Sequence, residues 1–227
     1  MLIQVKDLLD QEQVARCRKL LEDANWADGR HTAGMQAAQF KNNQQLPEDA
    51  PQLDELRSIV LKQIHRNGLF FTASLPKKVF PPLFNRYSGE TNSFGNHVDN
   101  AIRTYAKNGE AIRTDISCTV FLSQPDEYEG GELIIEDAYG ANSVKLAAGD
   151  AILYPSTSLH RVEPVTKGAR IASFFWIESM VRSNDQRRVL FDMDMAILSM
   201  RQTYGETDQA VVLTSCYHNL LRLFAET

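Results

Sequence analysis

The first apolar positions of the chain recur at helical spacing: after Asp10 come Val14, Cys17, Leu21 and Ala24, which predicts a surface helix with one apolar stripe. Asp10, with Gln13 three residues on, reads as its N-cap and capping-box pair. A second helix, opened by Pro51, carries Leu53, Leu56, Val60 and Ile64 and stops at Gly68. The polar stretch between the two, containing Asn42-Asn43-Gln44-Gln45, reads as irregular. From about Val79 to Glu178 the pattern changes to short β-rich runs. The candidate strands are Val79–Ser88, a piece around His97–Arg103, Thr114–Ser123, Glu132–Glu136, Ser143–Leu146, Ala151–Tyr154, His160–Val165 and Arg170–Ile177. The breaks Glu129-Gly130-Gly131, Tyr139-Gly140-Ala141-Asn142, Ala148-Gly149-Asp150, Pro155-Ser156 and Lys167-Gly168 are turn chemistry. After Ser179 the helical period returns. Ser183 or Asn184 caps a helix with Leu190, Met193, Ile197 and Met200 on one face, and Thr207 caps a last one with Leu213, Cys216, Leu220 and Leu223.

A run of short strands without intervening helices points to a jelly roll or barrel and not to a βαβ sheet. The expected class is therefore α+β: a jelly roll over about 79–178, flanked by N-terminal helices and a C-terminal helical extension. The chain divides on this reading into 1–180 and a packed extension, 181–227. A length of 227 residues is enough for one good core. With 43% hydrophobic and 23% charged residues the chain is neither collagen-like nor low-complexity. No apolar run reaches the roughly 18 residues of a membrane span, and the start Met1-Leu2-Ile3-Gln4-Val5-Lys6-Asp7 does not read as a signal peptide. Cytoplasm is the expected address, with no membrane partner. Cys17, Cys118 and Cys216 are odd in number and widely spaced, which suits buried thiols better than a disulfide framework. A net charge of −5 gives no electrostatic reason to expect nucleic acid as partner. The Met-containing stripe of the last helices reads as core or as a homo-oligomer interface.

The chemistry centres on His97-Val98-Asp99. In a strand, residues two apart point to one side, so an imidazole and a carboxylate can converge on a metal. His160 begins a later strand and Arg170 the last one. Two imidazoles and one carboxylate suit non-haem Fe(II), with coordination positions left open; a catalytic zinc has the same spacing. Alternation puts Arg170, Ala172, Phe174 and Trp176 on one face, and Ile171, Ser173, Phe175 and Ile177 on the other, packed beneath the helices. An inward Arg170 requires an anion, for which a carboxylate ligand and an internal salt bridge are the two readings.

In Tyr87-Ser88-Gly89, His97-Val98-Asp99, Glu129-Gly130-Gly131-Glu132-Leu133, and Leu153-Tyr154-Pro155 through His160-Arg161-Val162 to Gly168-Ala169-Arg170, the chain resembles Fe(II)/2-oxoglutarate-dependent dioxygenases. More narrowly it resembles the PKHD-type hydroxylases, relatives of prolyl 4-hydroxylase associated with iron-uptake loci, and does so nearly end to end. The resemblance implies a double-stranded β-helix in which His97, Asp99 and His160 bind Fe(II) and Arg170 holds the distal carboxylate of 2-oxoglutarate. It implies succinate and carbon dioxide as products beside a hydroxylated substrate, and it allows ascorbate as reductant. Tyr87 is either a cosubstrate contact or a barrel-wall aromatic. Many relatives carry Ser or Thr two residues beyond the arginine; here the position is Ala172, so a second hydrogen bond to the carboxylate must come from elsewhere, with Tyr87 the candidate.

Two other classes stay open at this stage: a cupin-like metal-binding enzyme or sensor without oxygen chemistry, and a non-catalytic interaction module. His31, His65 and His218 lack a ligand partner at useful spacing. The substrate is a protein side chain or a small molecule, facing the loops 29–46 and 104–113.

Overall fold

A computed structural model describes residues 1–32, 38–138 and 140–227. Two antiparallel sheets face each other. The larger has eight strands, in the order Ile3–Val5, Ala151–Pro155, Ile116–Phe121, Arg170–Ser179, Leu83–Tyr87, Gln44–Gln45 and Ala27–Asp28, with Pro76–Val79 also pairing with Arg170–Ser179. The smaller has five, in the order Gly140–Val144, Leu133–Asp137, His160–Val162, Ser93–His97 and Lys41–Asn42. This is the expected double-stranded β-helix.

Helices α1 (Gln11–Glu22), α2 (Leu53–Arg66) and α3 (Gly68–Ser74) cover the outer face of the larger sheet. The α1 capping box forms as read: the Gln13 N–H donates to Asp10 Oδ1 at 2.8 Å, and the Asp10 N–H to Gln13 Oε1 at 3.1 Å. Its stripe of Val14, Cys17 and Leu21 packs with Leu56, Val60 and Ile64 of α2 onto Cys118, Val120, Leu153, Phe175 and Ile177 of the sheet. Each fully buried side chain of this size stabilises the fold by about 1.5–3 kcal/mol before chain entropy is subtracted. The opposite faces of the same strands turn into the barrel, where Tyr87, Phe121, Ile152 and Tyr154 meet Leu133, Ile135 and Val162 of the smaller sheet. Alternation along Arg170–Ser179 thus divides as expected between a helix-covered face and an interior one.

Several expectations need correction. Gly68 does not end the second helix; Asn67 does, and its side chain accepts from the Phe70 N–H to start α3. The polar stretch around Asn42–Gln45 is not irregular but gives two short strands, one in each sheet. The long candidate over Val79–Ser88 is two strands, parted at the Phe80–Pro82 segment. The turn predicted at Tyr139 lies outside the described residues.

Two further helices, α4 (Asn184–Tyr204, capped by Ser183) and α5 (Asp208–Phe224, capped by Thr207), form an antiparallel pair whose core is Leu190, Ile197 and Tyr217 with Leu75 and Val181. Leu213, Cys216 and Leu223, predicted on one apolar face of α5, are exposed; Ala210 and Tyr217 take the buried positions. Cys216 is accordingly a surface thiol, unlike Cys17 and Cys118. Among the described residues no helix is long and apolar enough to cross a membrane.

Candidate active site

His97 closes the Ser93–His97 strand and His160 opens His160–Val162, and the register makes them direct cross-strand partners. Their ring centroids stand 4.1 Å apart. Asp99 lies past the strand end, so simple alternation does not place it. Instead its Oδ2 accepts from the Ser117 hydroxyl at 2.6 Å and stands 3.7 Å from His160 Nε2. Thr114 fixes the loop beyond, its hydroxyl donating to the Asn100 carbonyl at 2.6 Å and its N–H to the Ala101 carbonyl at 2.9 Å. One ligand atom from each of His97, Asp99 and His160 falls within 4.8 Å of the others, close enough to share a metal ion.

Both imidazoles are oriented for that task. Nδ1 of His97 lies 2.8 Å from the Gly95 carbonyl, and Nδ1 of His160 lies 3.0 Å from that of Ser158. A carbonyl oxygen only accepts, so each Nδ1 carries the proton and each Nε2 keeps its lone pair. Phe94 stacks on His97 with centroids 3.6 Å apart, and Tyr154 meets His160 edge-on at 5.1 Å. Burial, reinforced by His160, lowers the His97 pKa to about 4, which keeps it neutral near pH 7. Ser117 has one hydroxyl proton, given to Asp99, so Ser156 must donate across the 2.7 Å contact between the two serines.

Arg170 is 2% exposed and projects into the same cleft. It is the ladder partner of Tyr87, whose ring centroid lies 5.3 Å from the guanidinium carbon; Phe121 lies on another side at 5.2 Å. Among the described residues no carboxylate pairs with Arg170, and its Nε has no hydrogen-bond partner. The internal salt bridge is thereby set aside. A buried cation without a counter-charge costs several kcal/mol, so the arrangement fits an anion supplied from outside the chain. The Tyr128 hydroxyl lies beside Arg170, which opposes the rise that burial gives its pKa. Burial raises the pKa of Tyr87, against the opposing influence of Arg170 and Asn43, so its hydroxyl stays protonated.

The Gly130-Gly131 turn holds this end closed. At Gly130 (φ +72°) a Cβ would lie 2.0 Å from the Pro164 carbonyl oxygen, and at Gly131 one would lie 3.2 Å from Arg170 Cδ. Only glycine lets the two chain segments approach so closely.

Among the side chains of the cleft that sequence reasoning missed are Ser117 and Phe94, described above, and the polar Lys41, Asn43, Asn85 and Arg103. Lys41 is buried, its Nζ donating to Gln45 Oε1 at 3.1 Å and standing 5.5 Å and 5.8 Å from the Phe94 and Phe174 ring centroids. Burial first, then Arg103, lowers its pKa to about 7, while Asp99 and Asp28 act the other way. Arg103, on a hairpin of Ile102–Thr104 with Ala111–Arg113, stacks over Trp176 at 4.1 Å. Asn85 is the ladder partner of Ala172, so it occupies the interior beside the position that a Ser or Thr would fill in relatives; that pairing is the signal that could have found it. His65 and His218 are exposed on helices, away from the cleft. The side chain of His31 lies outside the described residues.

Residues 82–178 match the 2OG-Fe(II) oxygenase superfamily, and residues 184–226 match the PKHD-type hydroxylase C-terminal domain. A PKHD-type hydroxylase of Polaromonas sp. (strain JS666) is 57% identical over 227 residues, covering 100% of both chains. Another, from Saccharophagus degradans, is 58% identical over the same length and coverage. Among solved structures, a prolyl hydroxylase from Trichoplax adhaerens in complex with a hypoxia inducible factor peptide superposes with a TM-score of 0.56 at 15% identity, covering 83% of this chain and 86% of that one. At that identity the likeness speaks for the fold alone.

Proposed function

Because the chain belongs to the PKHD-type hydroxylases and carries a 2OG-Fe(II) oxygenase domain, we propose that His97, Asp99 and His160 hold its Fe(II) and that Arg170 holds 2-oxoglutarate. The residues fit both groups. Two neutral imidazoles and a carboxylate are the donor set that suits non-haem Fe(II) and leaves positions open. The buried Nε of Arg170 is without a partner in the same cleft, and a guanidinium fork matches a carboxylate. That shared cleft is the observation that carries the reading.

Bound Fe(II) and 2-oxoglutarate supply dioxygen activation coupled to oxidative decarboxylation, yielding succinate, carbon dioxide and a hydroxylated C–H of the substrate. The chain's own residues orient and exclude. Gly95 and Ser158 carbonyls fix the imidazole tautomers, and the Ser156–Ser117–Asp99 relay fixes the carboxylate. Arg170, flanked by Tyr87 and Phe121, anchors the far end of the cosubstrate, with Tyr87 and Asn85 offering further hydrogen bonds where Ala172 offers none. Leu133, Val162, Phe174 and Trp176 make the remaining wall apolar and keep water from the reacting centre.

The substrate is a protein side chain or a small molecule, with iron acquisition as the setting and ascorbate as the external reductant of the metal. The reading is tested by succinate release from 2-oxoglutarate in the presence of Fe(II), abolished in His160→Ala. Release that persists in that variant, or none in the wild type, overturns it.

A further inference from the structure

Resting on the reading above, we propose that the substrate is an extended polypeptide, which joins the hairpin of Ile102–Thr104 and Ala111–Arg113 as a third, antiparallel strand and turns one side chain into the cleft. The hairpin's own hydrogen bonds show which backbone groups are open. Ile102, Arg103 and Thr104 stand opposite Arg113, Ile112 and Ala111. Beyond each end, the Tyr105 N–H donates to the Glu110 carbonyl at 2.8 Å and the Thr114 N–H to the Ala101 carbonyl at 2.9 Å. Bonded and non-bonded pairs alternate along an antiparallel ladder, so Ala101, Arg103 and Tyr105 point their backbone groups at the partner strand. Those of Ile102 and Thr104 point away from it. Arg113 has the same phase, since its N–H turns outward to Glu178 Oε2 at 3.1 Å. Among the described residues, nothing meets the outward N–H and C=O groups of Ile102 and Thr104.

The position of this edge ties it to the metal site. It starts three residues after Asp99, so the Cα atoms of Asp99 and Ile102 lie within about 11 Å of each other. Thr114, bonded to the Asn100 and Ala101 carbonyls, anchors the chain between them. Arg103 lines the cleft and stacks over Trp176 at 4.1 Å, while Ile102 and Thr104 on the other face of the hairpin are exposed. Residues directly opposite one another share a face of a sheet, so a residue set against Arg103 sends its side chain to the cleft. Its two neighbours, set against Ile102 and Thr104, exchange backbone hydrogen bonds with the edge. The middle residue's own N–H points away, so the edge tolerates its loss there and not at the neighbours. Natural edges are commonly blunted by lysine, proline or a bulge. This one carries Ile102, 58% exposed, and Thr104, both strand-favouring side chains. A small molecule has no repeating amides to meet such a row, which is why these observations favour a polypeptide.

The test uses the full chain loaded anaerobically with Fe(II) and saturating 2-oxoglutarate, the visible charge-transfer band reporting that loading. Blocked peptides Ac-Ser-Val-Xaa-Val-Ser-NH2, with Xaa as Ala, Leu, Phe, Pro, Lys, Asn or Asp, are titrated by calorimetry. At least one should bind at millimolar concentration or below. N-methylation of either valine should weaken it tenfold or more, whereas N-methylation of Xaa, or proline there, should change it less than threefold. Thr104→Pro removes an outward N–H and no bond within the hairpin, at an edge position that admits proline. It should weaken the peptide tenfold or more and leave the band unchanged, while Thr104→Val, which keeps the N–H, should bind as the wild type does. Binding by none of the peptides, or binding indifferent to Thr104→Pro and to methylation of the valines, overturns the inference. Absence of the band in the wild type would instead overturn the Fe(II)/2-oxoglutarate reading on which it rests.

Discussion

His97 and His160 face each other across two antiparallel strands, their rings 4.1 Å apart, each with Nδ1 turned to a backbone carbonyl two residues before it. The same i−2 geometry repeated on both strands leaves the two Nε2 lone pairs facing the space beside Asp99. The backbone thus fixes the orientation of both imidazoles.

Asp99→Ala should abolish succinate formation, by more than a hundredfold, while leaving the fold intact. Asp99 lies beyond the strand end and is engaged by a serine hydroxyl, outside the apolar clusters of the fold. Product assay beside far-ultraviolet circular dichroism checks both halves. Loss of folding would give the carboxylate a structural role instead.

Ser117→Ala removes the hydroxyl that donates to Asp99 Oδ2 and leaves Ser156 without its acceptor. Supporting hydrogen bonds of this kind are worth about 10–100-fold in metal affinity. Metal titration of the variant should show weaker binding of about that size, with the melting temperature little changed. Affinity equal to the wild type would show that Asp99 needs no such orientation.

Asn85→Ala should weaken 2-oxoglutarate binding by about tenfold, since a hydrogen bond to a charged group contributes about 1.5–3 kcal/mol. Asn85 faces Ala172 across the ladder, so Ala172→Ser in the same chain should recover part of the loss. Cosubstrate titrations of the single and double variants measure this directly; full affinity in Asn85→Ala would leave Tyr87 as the sole additional contact.

Lys41 gives the metal-free protein a pH signature. Its folded pKa is about 7, against an ordinary value of 10.5. Between these values the unfolded chain binds more protons than the folded one, so stability rises with pH. The cost of burying the charge is complete below about pH 7 and vanishes above about pH 10.5. Lys41→Met should therefore raise the melting temperature more at pH 7 than at pH 10. Equal gains at both would contradict the depressed pKa.

Much of this was legible in the residues, and the exceptions have a common cause. Alternation along Arg170–Ser179 separates the barrel interior from the helix-covered face because two neighbours bury it. The capping residues Asp10, Ser183 and Thr207 sit where local chemistry places them. Lys41, Asn43 and Gln45 escaped because polar residues without apolar periodicity read as exposed. Their burial follows from two short strands that join different sheets, a contact no local pattern encodes. Cys216 failed in the opposite sense: on α5 several positions share a helical period, and packing against α4 selected Ala210 and Tyr217.

The most direct measurement is anaerobic titration of the protein with Fe(II) and 2-oxoglutarate, followed in the visible range. The predicted result is a weak metal-to-ligand charge-transfer band that is absent in His97→Ala and requires at least tenfold more 2-oxoglutarate in Arg170→Met. Tight zinc binding without any response to 2-oxoglutarate, or a band indifferent to both substitutions, would contradict the shared metal and cosubstrate site.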